Sequence, residues 1–164
     1  MNRSVSYLTF FINNREFALP AGKIQTICDV SSTKDVDSEV DFMRAVALRD
    51  SGVFPIVDLG KVLGISGSKL SDSSSVILTN FKFSGKIFKI GLLVDMVISV
   101  LSINKELVAD SMDSDSDHIP DEVEAVVTEK SQKIYLLDIE CLFSEDDYLD
   151  LLIEIKKFLG MQMG

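Results

Sequence analysis

The sequence predicts a mainly β fold, and three observations support this. Three pairs of apolar segments rich in β-branched residues each flank a short polar stretch, which is typical of β-hairpins. Apolar residues at helical spacing are scarce before residue 144. The segments also recur in the same order in the two halves of the chain. Each half is therefore expected to hold about five short strands, enough for a small closed or nearly closed barrel.

The hairpins are predicted from the polar residues that separate apolar segments. They would join residues 7–12 to 16–19, 76–83 to 86–94, and 123–128 to 134–139. Asn13-Asn14 and Ser84-Gly85 separate the first two pairs, and these residue types tolerate the positive φ that tight hairpin turns require. The third pair flanks the polar linker 129–133. Each pair is expected to form two adjacent antiparallel strands.

A further strand is expected over residues 52–59, an apolar run rich in β-branched residues. Pro55 lies inside this run, and proline has no N–H to donate to a neighbouring strand. Its presence predicts a position at a sheet edge or at a bulge.

One helix is predicted near the C-terminus, approximately over residues 145–159. Ser144 can cap it together with Asp147, acidic residues fill the first turn, and Gly160 would end it. The apolar residues that recur at helical spacing are Tyr148, Leu151, Leu152, Ile155, Phe158 and Leu159. This stripe is expected to pack on the chain's own sheets.

The two halves of the chain, approximately residues 7–64 and 76–143, resemble each other. The segment FALPAGKIQTI aligns with KIGLLVDMVISV, and FPIVDLGKVL aligns with IYLLDIECLF. The second alignment pairs Asp58 with Asp138, each at the end of an apolar strand. A Gly- and Ser-rich stretch, residues 66–75, joins the halves. We therefore expect an internal duplication.

The charge balance argues against several classes of partner. The chain has 164 residues, 26 of them acidic and 16 basic, and a formal net charge of -10, which opposes binding to nucleic acid and to anionic membrane surfaces. The longest strongly apolar stretch, residues 90–101, is interrupted by Asp95 and is too short to span a bilayer. Cys28 and Cys141 lie in apolar runs and are expected to be buried in a protein of the reducing cytoplasm.

An acidic stretch over residues 110–124 has part of the spacing of a calcium-binding loop. If the stretch formed an EF-hand loop, positions 1, 3, 5 and 12 would hold acidic residues, namely Asp113, Asp115, Asp117 and Glu124. The sharp turn at position 6 needs glycine, but His118 stands there, and Pro120 follows in the segment that normally pairs. We expect a solvated acidic loop and no metal site.

No catalytic residue and no cofactor is predicted. His118 is the only histidine, and the chain has neither a nucleophile motif nor a phosphate-binding glycine loop. Asp58 and Asp138 could form a catalytic carboxylate pair. A recurring Asp at the end of a strand is more simply a cap or turn residue. The chain is therefore expected not to be an enzyme.

Arg49 is an isolated cation just before an apolar strand of an acidic protein. Arginine is a favoured anchor in protein interfaces. It could equally form a salt bridge with Asp50 or with another carboxylate. The spacing alone leaves both interpretations open.

Four blocks of the sequence resemble, in order, the CheW-like proteins, which are chemotaxis coupling proteins. The blocks are FFINNREFALPAGKIQTI, ALRDSGVFPIVDLGKVLG, IGLLVDMVISVLSI and IYLLDIECLFSEDDYLDLL. The most specific parts are Arg49 followed by residues 53–59, and the run over residues 91–101. The resemblance covers nearly the whole chain, so one CheW-like domain over residues 1–164 is expected, as a stand-alone module.

The resemblance implies two intertwined five-stranded barrels with a C-terminal helix. It also implies a non-catalytic adaptor that bridges the cytoplasmic tips of chemoreceptors to the regulatory domain of the histidine kinase CheA. Such a protein would join receptor arrays at the inner face of the membrane without inserting into it. Arg49 and Ile24 match family positions associated with receptor binding.

The chain departs from the family pattern at several positions. The loop between Arg49 and the following strand is one residue longer, Gly60 and Lys61 follow the Asp-Leu pair where arginine is usual, and Thr26 replaces a frequent glutamate. These differences leave room for a paralogue in a related chemosensory or surface-motility pathway. A barrel that binds a small molecule is a further alternative.

Calcium at millimolar concentration is expected to leave the melting temperature unchanged, because His118 and Pro120 disrupt the spacing of ligands in the acidic loop. Thermal unfolding with calcium and with a chelator measures this. A rise in melting temperature that disappears in Asp113→Ala would contradict it.

Overall fold

The computed structural model describes residues 4–49, 52–65, 70–104 and 119–163. These residues form β1 (Ser4–Ile12), β2 (Arg15–Pro20), β3 (Ile24–Asp29), β4 (Thr33–Asp35), β5 (Met43–Arg49), β6 (Gly52–Asp58), α1 (Leu59–Val62), β7 (Ser75–Phe83), β8 (Lys86–Val94), β9 (Met96–Asn104), β10 (Val123–Glu129), β11 (Gln132–Leu137) and α2 (Glu145–Met163). The strands build two curled sheets. Sheet A has the order β10-β11-β2-β1-β9, and sheet B has the order β3-β7-β8-β6-β5-β4. The predicted mainly β class with a C-terminal helix is confirmed.

The three predicted hairpins form, each through a turn with positive φ. Asn13 and Asn14 have φ of 50° and 66°, and Ser84 has φ of 51°. Strands β10 and β11 extend further toward their turn than predicted because Glu129 pairs with Gln132, and β11 ends at Leu137, two residues earlier than predicted. The five-residue linker of the prediction thus shrinks to a two-residue turn.

Each sheet contains strands from both halves of the chain. The β1–β2 hairpin of the first half lies between β9 and β11 of the second, and the β7–β8 hairpin of the second half lies between β3 and β6 of the first. Both insertions use a short parallel pairing, in which Leu136 faces Ala18 and Ile56 faces Gly91. These two pairs occupy the same places in the alignment of the halves. The half-repeats stay a prediction, which the matched registers support.

Three groups of buried side chains fill the fold. One small cluster lies within sheet B and consists of Cys28, Ala45, Ala47, Ile56, Val76 and Leu93. A second lies within sheet A and consists of Tyr7, Ala18, Ile103, Ile134 and Leu136. The largest cluster draws on both sheets and on α2. The two sheets therefore share a common core and support each other.

Gly91 and Ala18 are small because large side chains face them across the parallel pairings. A Cβ added to Gly91 would collide with Cδ1 of Ile56 and would lie 2.7 Å from Cγ1 of Val76. Ala18, the aligned residue, is fully buried in the same cluster as Leu136. Close approach of the inserted hairpin thus depends on a small residue in each sheet.

Pro55 lies neither at a sheet edge nor at the bulge of the β5–β6 pairing, the two positions expected from the sequence, because the bulge falls between Met43 and Ala45, opposite Val57 and Ile56. Strand β6 lies between β5 and β8. The parallel pairing with β8 begins at Ile56, directly after Pro55. The proline is therefore tolerated in an internal strand because it precedes this pairing.

Helix α2 begins where the sequence predicts but extends further. Ser144 Oγ accepts a hydrogen bond from the Asp147 N–H at 3.1 Å, and Asp147 Oδ2 accepts one from the Ser144 N–H at 2.9 Å. Gly160 was expected to end the helix, which instead continues to Met163. A glycine costs a helix only about 1 kcal/mol relative to alanine, so it does not have to end it. Leu159, placed in the packed stripe by its spacing, is 40% exposed.

Tyr148 anchors α2 in an aromatic group. Its ring stacks on Phe83 at a centroid distance of 4.8 Å and meets Phe81, Phe88 and Phe143 edge-on. Burial, and to a lesser extent the nearby carboxylates, raises the pKa of Tyr148 to about 12.

Gly91→Ala should lower the free energy of unfolding by about 1–3 kcal/mol, a typical cost of overpacking a core. Urea unfolding measures it. Gly22→Ala is the control, since a Cβ there meets nothing within 4 Å. Adding Ile56→Val removes the colliding Cδ1 and should restore part of the loss. Equal stability of the parent and the Gly91→Ala variant would contradict the close packing.

The free energy of unfolding should fall as the pH rises above about 10, where the unfolded state releases the Tyr148 proton and the folded state retains it. The free energy of unfolding of Tyr148→Phe should fall less steeply over the same range. Urea unfolding of both proteins between about pH 9 and 11, a range that brackets the ordinary pKa of a tyrosine, tests this prediction. If the stability of both proteins fell equally with pH, the Tyr148 phenol would make no contribution to this pH dependence.

Candidate functional site

Ile24, one of the two residues that the resemblance associates with receptor binding, is the first residue of β3. Its backbone pairs with Thr79 of β7. The side chain is half-buried and packs against the largest core cluster. Ile24 therefore has a structural role in addition to any contact it makes outside the chain.

Arg49, the other residue, is the last of β5, and its backbone pairs with Gly52 at the start of β6. Asp50, its proposed salt-bridge partner, lies outside the described residues. Gly52 has φ of 138°, a conformation that side chains rarely adopt. This glycine lets the chain turn back into β6 directly after Arg49.

Strand directions place Ile24 and Arg49 at the same end of sheet B. Strands β3, β6 and β8 run in the same direction, and β5 runs opposite to β6. The starts of β3, β6 and β8 therefore point to the same end as the finish of β5, with Ile24 level with Ile90 and about three residues inward from Arg49. We call this region the β5–β6 end.

Two exposed apolar residues at the β5–β6 end were missed by the sequence interpretation. Leu48 is 58% exposed on β5, and Ile87 is 66% exposed near the start of β8. Both lie in apolar runs that predict burial, so composition alone could not identify them. Neighbouring side chains of a strand point to opposite faces of the sheet. Because Phe88 packs against the core, the adjacent Ile87 points away from that core, and this alternation is the signal that could have identified it.

Asp58 and Asp138 do not form a carboxylate pair at one site. Asp58 follows β6 of sheet B, and its Oδ1 accepts a hydrogen bond from the Gly60 N–H at 3.1 Å. Asp138 follows β11 of sheet A, and its Oδ1 accepts one from the Glu140 N–H, also at 3.1 Å. Each aspartate caps the helical turn that follows its own strand, which is the simpler of the two interpretations.

The neighbours of the two aspartates differ in chemistry. Asp58 is buried, and its Oδ2 lies 3.7 Å from Nη1 of Arg44. Asp138 Oδ2 instead accepts a hydrogen bond from the Cys141 thiol at 3.3 Å. This hydrogen bond, followed by desolvation and nearby carboxylates, raises the pKa of Cys141. The thiolate is disfavoured, so the environment does not activate this cysteine as a nucleophile.

Cys141 is exposed, contrary to the expectation that both cysteines are buried. It lies in the short helical turn after β11, where Glu140 and Cys141 are exposed and Ile139 is buried. Cys28 is buried as expected.

The acidic stretch falls largely outside the described residues, which include only 119–124 of it. Within the described ranges, no three His, Cys, Asp or Glu side chains converge to hold a metal ion. In the same part of the chain, no helix has both the length and the apolar character needed to cross a membrane.

Comparison with known proteins identifies the family. The model of the CheW-like domain matches residues 6–147. The chain is 25% identical over 138 residues to a chemotaxis protein CheW of Thermotoga maritima, covering 84% of this chain and 87% of that protein. It is 24% identical over 141 residues to a chemotaxis protein CheW of Klebsiella aerogenes, covering 86% of this chain and 82% of that protein.

A solved structure shares the fold. The scaffolding protein TtCheW from Thermoanaerobacter tengcongensis superposes with a TM-score of 0.73 at 20% identity, covering 91% of this chain and 94% of that one. The family match over residues 6–147, supported by this shared fold, shows that the chain belongs to the CheW-like domain family.

Proposed function

We propose that this protein is a non-catalytic scaffold of chemotaxis that couples chemoreceptors to the histidine kinase CheA. The observation that carries the proposal is the family match over residues 6–147, together with relatives that are named chemotaxis protein CheW. The fold likeness to a protein described as scaffolding supports the same role. Fold alone does not define function, so the proposal depends on the interaction surfaces.

The aspartates favour a scaffold over an enzyme. The two candidate catalytic carboxylates serve as caps in separate sheets. The exposed thiol of Cys141 has a raised pKa. Both groups thus have structural explanations that need no substrate.

The receptor-binding surface is proposed at the β5–β6 end of sheet B. It takes in Arg49 and Ile24 and, on opposite faces of the sheet by register, the exposed apolar residues Leu48 and Ile87. Apolar contacts beside an arginine are typical of interface centres, where a planar guanidinium can bind a carboxylate or carbonyl oxygens. The regulatory domain of CheA would bind a separate surface, since a coupling protein must bind both partners at once.

The proposed coupling role also implies a location in the cell. A coupling protein would act in the cytoplasm, in arrays at the inner face of the membrane, through protein contacts and without inserting into the bilayer. The net charge of -10 favours protein partners over anionic lipid.

Co-sedimentation of the purified protein with receptor cytoplasmic fragments and CheA tests the coupling role. With all three components present, all three should sediment together. Omitting this protein should reduce the amount of CheA that sediments with the receptor fragments. CheA recovery that does not depend on this protein would contradict the proposal.

Arg49→Glu should weaken receptor binding by about 2 kcal/mol or more, because the change reverses the charge of an interface anchor. Binding to CheA and thermal stability should stay nearly unchanged. Titration with the receptor fragment, alongside a melting curve, measures both effects.

Lys156→Glu is the matched control, since it makes the same charge change at an exposed position of α2. Unchanged receptor binding in Arg49→Glu would remove Arg49 from the receptor surface. Unfolding of this variant would instead show that Arg49 forms a structural ion pair.

A further inference from the structure

A cleft of about 710 Å³ lies where sheet A meets the chain segment that leads into β7. Its walls come from the β1–β2 hairpin, the start of β11, the crossing from β8 to β9, and Ser71 and Ser73. This volume falls within the range typical of small-molecule sites, about 300–1,000 Å³. The cleft is separate from the proposed receptor surface, which lies on sheet B.

Arg15 contributes an unsatisfied cation to this cleft. Its guanidinium carbon lies 4.7 Å from the centre of the Tyr135 ring and 5.7 Å from that of Phe17. Among the described residues, its buried Nε and Nη2 have no hydrogen-bond partner. Leaving buried donors unpaired is costly. In the described part of the chain, stacking on the rings holds the guanidinium and no hydrogen bond does. The group can therefore turn its edge toward a ligand without breaking a polar contact there.

Asp95 contributes an unsatisfied anion to the same cleft. Its Oδ2 accepts a hydrogen bond from the Asn13 N–H at 2.7 Å, and its carbonyl oxygen accepts one from Ser73 Oγ at 3.2 Å. These contacts fix the residue at the crossing between the sheets. Its buried Oδ1 has no hydrogen-bond partner in the described ranges. A buried carboxylate oxygen without a partner gains a hydrogen bond when the ammonium group of a ligand reaches it.

The charges of the lining residues indicate the class of ligand. Arg15 and Lys133 are balanced by Glu16 and Asp95. A ligand with a large net negative charge would be repelled by a chain of net charge -10. A zwitterion avoids this repulsion and supplies the opposite charge to both unsatisfied groups.

We propose that the cleft binds a free amino acid with an apolar side chain. The carboxylate of the ligand pairs with Arg15, and its ammonium group pairs with Oδ1 of Asp95. Phe11 and Met96, which also line the cleft, contact the apolar side chain. This activity goes beyond the scaffold role and does not depend on it.

Three probes of similar shape test the charge requirement. L-leucine carries both charged groups, 4-methylpentanoate lacks the ammonium group, and isoamylamine lacks the carboxylate. Each is titrated by calorimetry to about 10 mM, where a millimolar Kd gives near saturation. L-leucine should bind at least about tenfold more tightly than either of the other two. Equal binding of 4-methylpentanoate would overturn the zwitterion requirement.

The Arg15 Nε–H resonance in a ¹⁵N spectrum reports binding at the cleft itself. The resonance is assigned by its absence from the spectrum of Arg15→Lys. It should shift when L-leucine is added to the parent protein. Arg15→Lys keeps the charge but loses the fork of donors, and should weaken L-leucine binding at least about tenfold. Asp95→Asn should do the same, because it removes the negative charge.

Lys89→Ala is the matched control, because the Lys89 ammonium lies over the Phe54 ring at 5.4 Å and neither residue lines the cleft. It should leave L-leucine binding unchanged. If L-leucine neither releases heat nor shifts the Arg15 resonance at the highest concentration, the proposal is overturned. Tight binding that persists in folded Arg15→Lys and Asp95→Asn would overturn the assignment to this cleft.

Discussion

Two short parallel strand pairings hold the architecture together. In the residues that the structure describes, β6 pairs with β8 and β2 pairs with β11, each over three residue pairs. Each pairing attaches a hairpin from one half of the chain to strands of the other. The close approach requires a small residue on the inserted hairpin, and Ala18 and Gly91 supply it. Larger residues there would push the two halves apart and separate the strands that form both sheets.

The exchanged hairpins give a scaffold the rigidity it needs. Because the largest core cluster draws on both sheets and on α2, the sheets cannot shift independently without breaking apolar contacts. The β5–β6 end of sheet B and the cleft beside sheet A are therefore held in a fixed relation. A ligand in the cleft would contact Asp95, which lies between β8 of one sheet and β9 of the other. Occupancy would thus act at the junction of the sheets.

Local signals in the sequence predicted the elements, and tertiary contacts decided the rest. Asn13-Asn14 and the Ser144 cap specify their turn and helix start through their own backbone, so the predictions held. The internal position of Pro55 depends on where a distant strand begins to pair, which no local pattern reveals. Leu48 is 58% exposed although it lies in an apolar run, a pattern that predicts burial. The sequence identified Arg49 through its resemblance to the family, whereas the cleft around Arg15 forms only when four separate segments of the chain come together.

The exchange of hairpins also bears on how the protein is made. Strand β1 pairs with β9, and Thr9 bonds to Ser99, 90 residues further along the chain. Sheet A also needs β11, which ends at Leu137, so the β1–β2 hairpin leaves the ribosome long before its partners exist. Its apolar edges stay open during that interval, when pairing with another nascent chain competes with correct folding. This topology therefore leaves strand edges unpaired during synthesis for longer than a fold built from local pairings would.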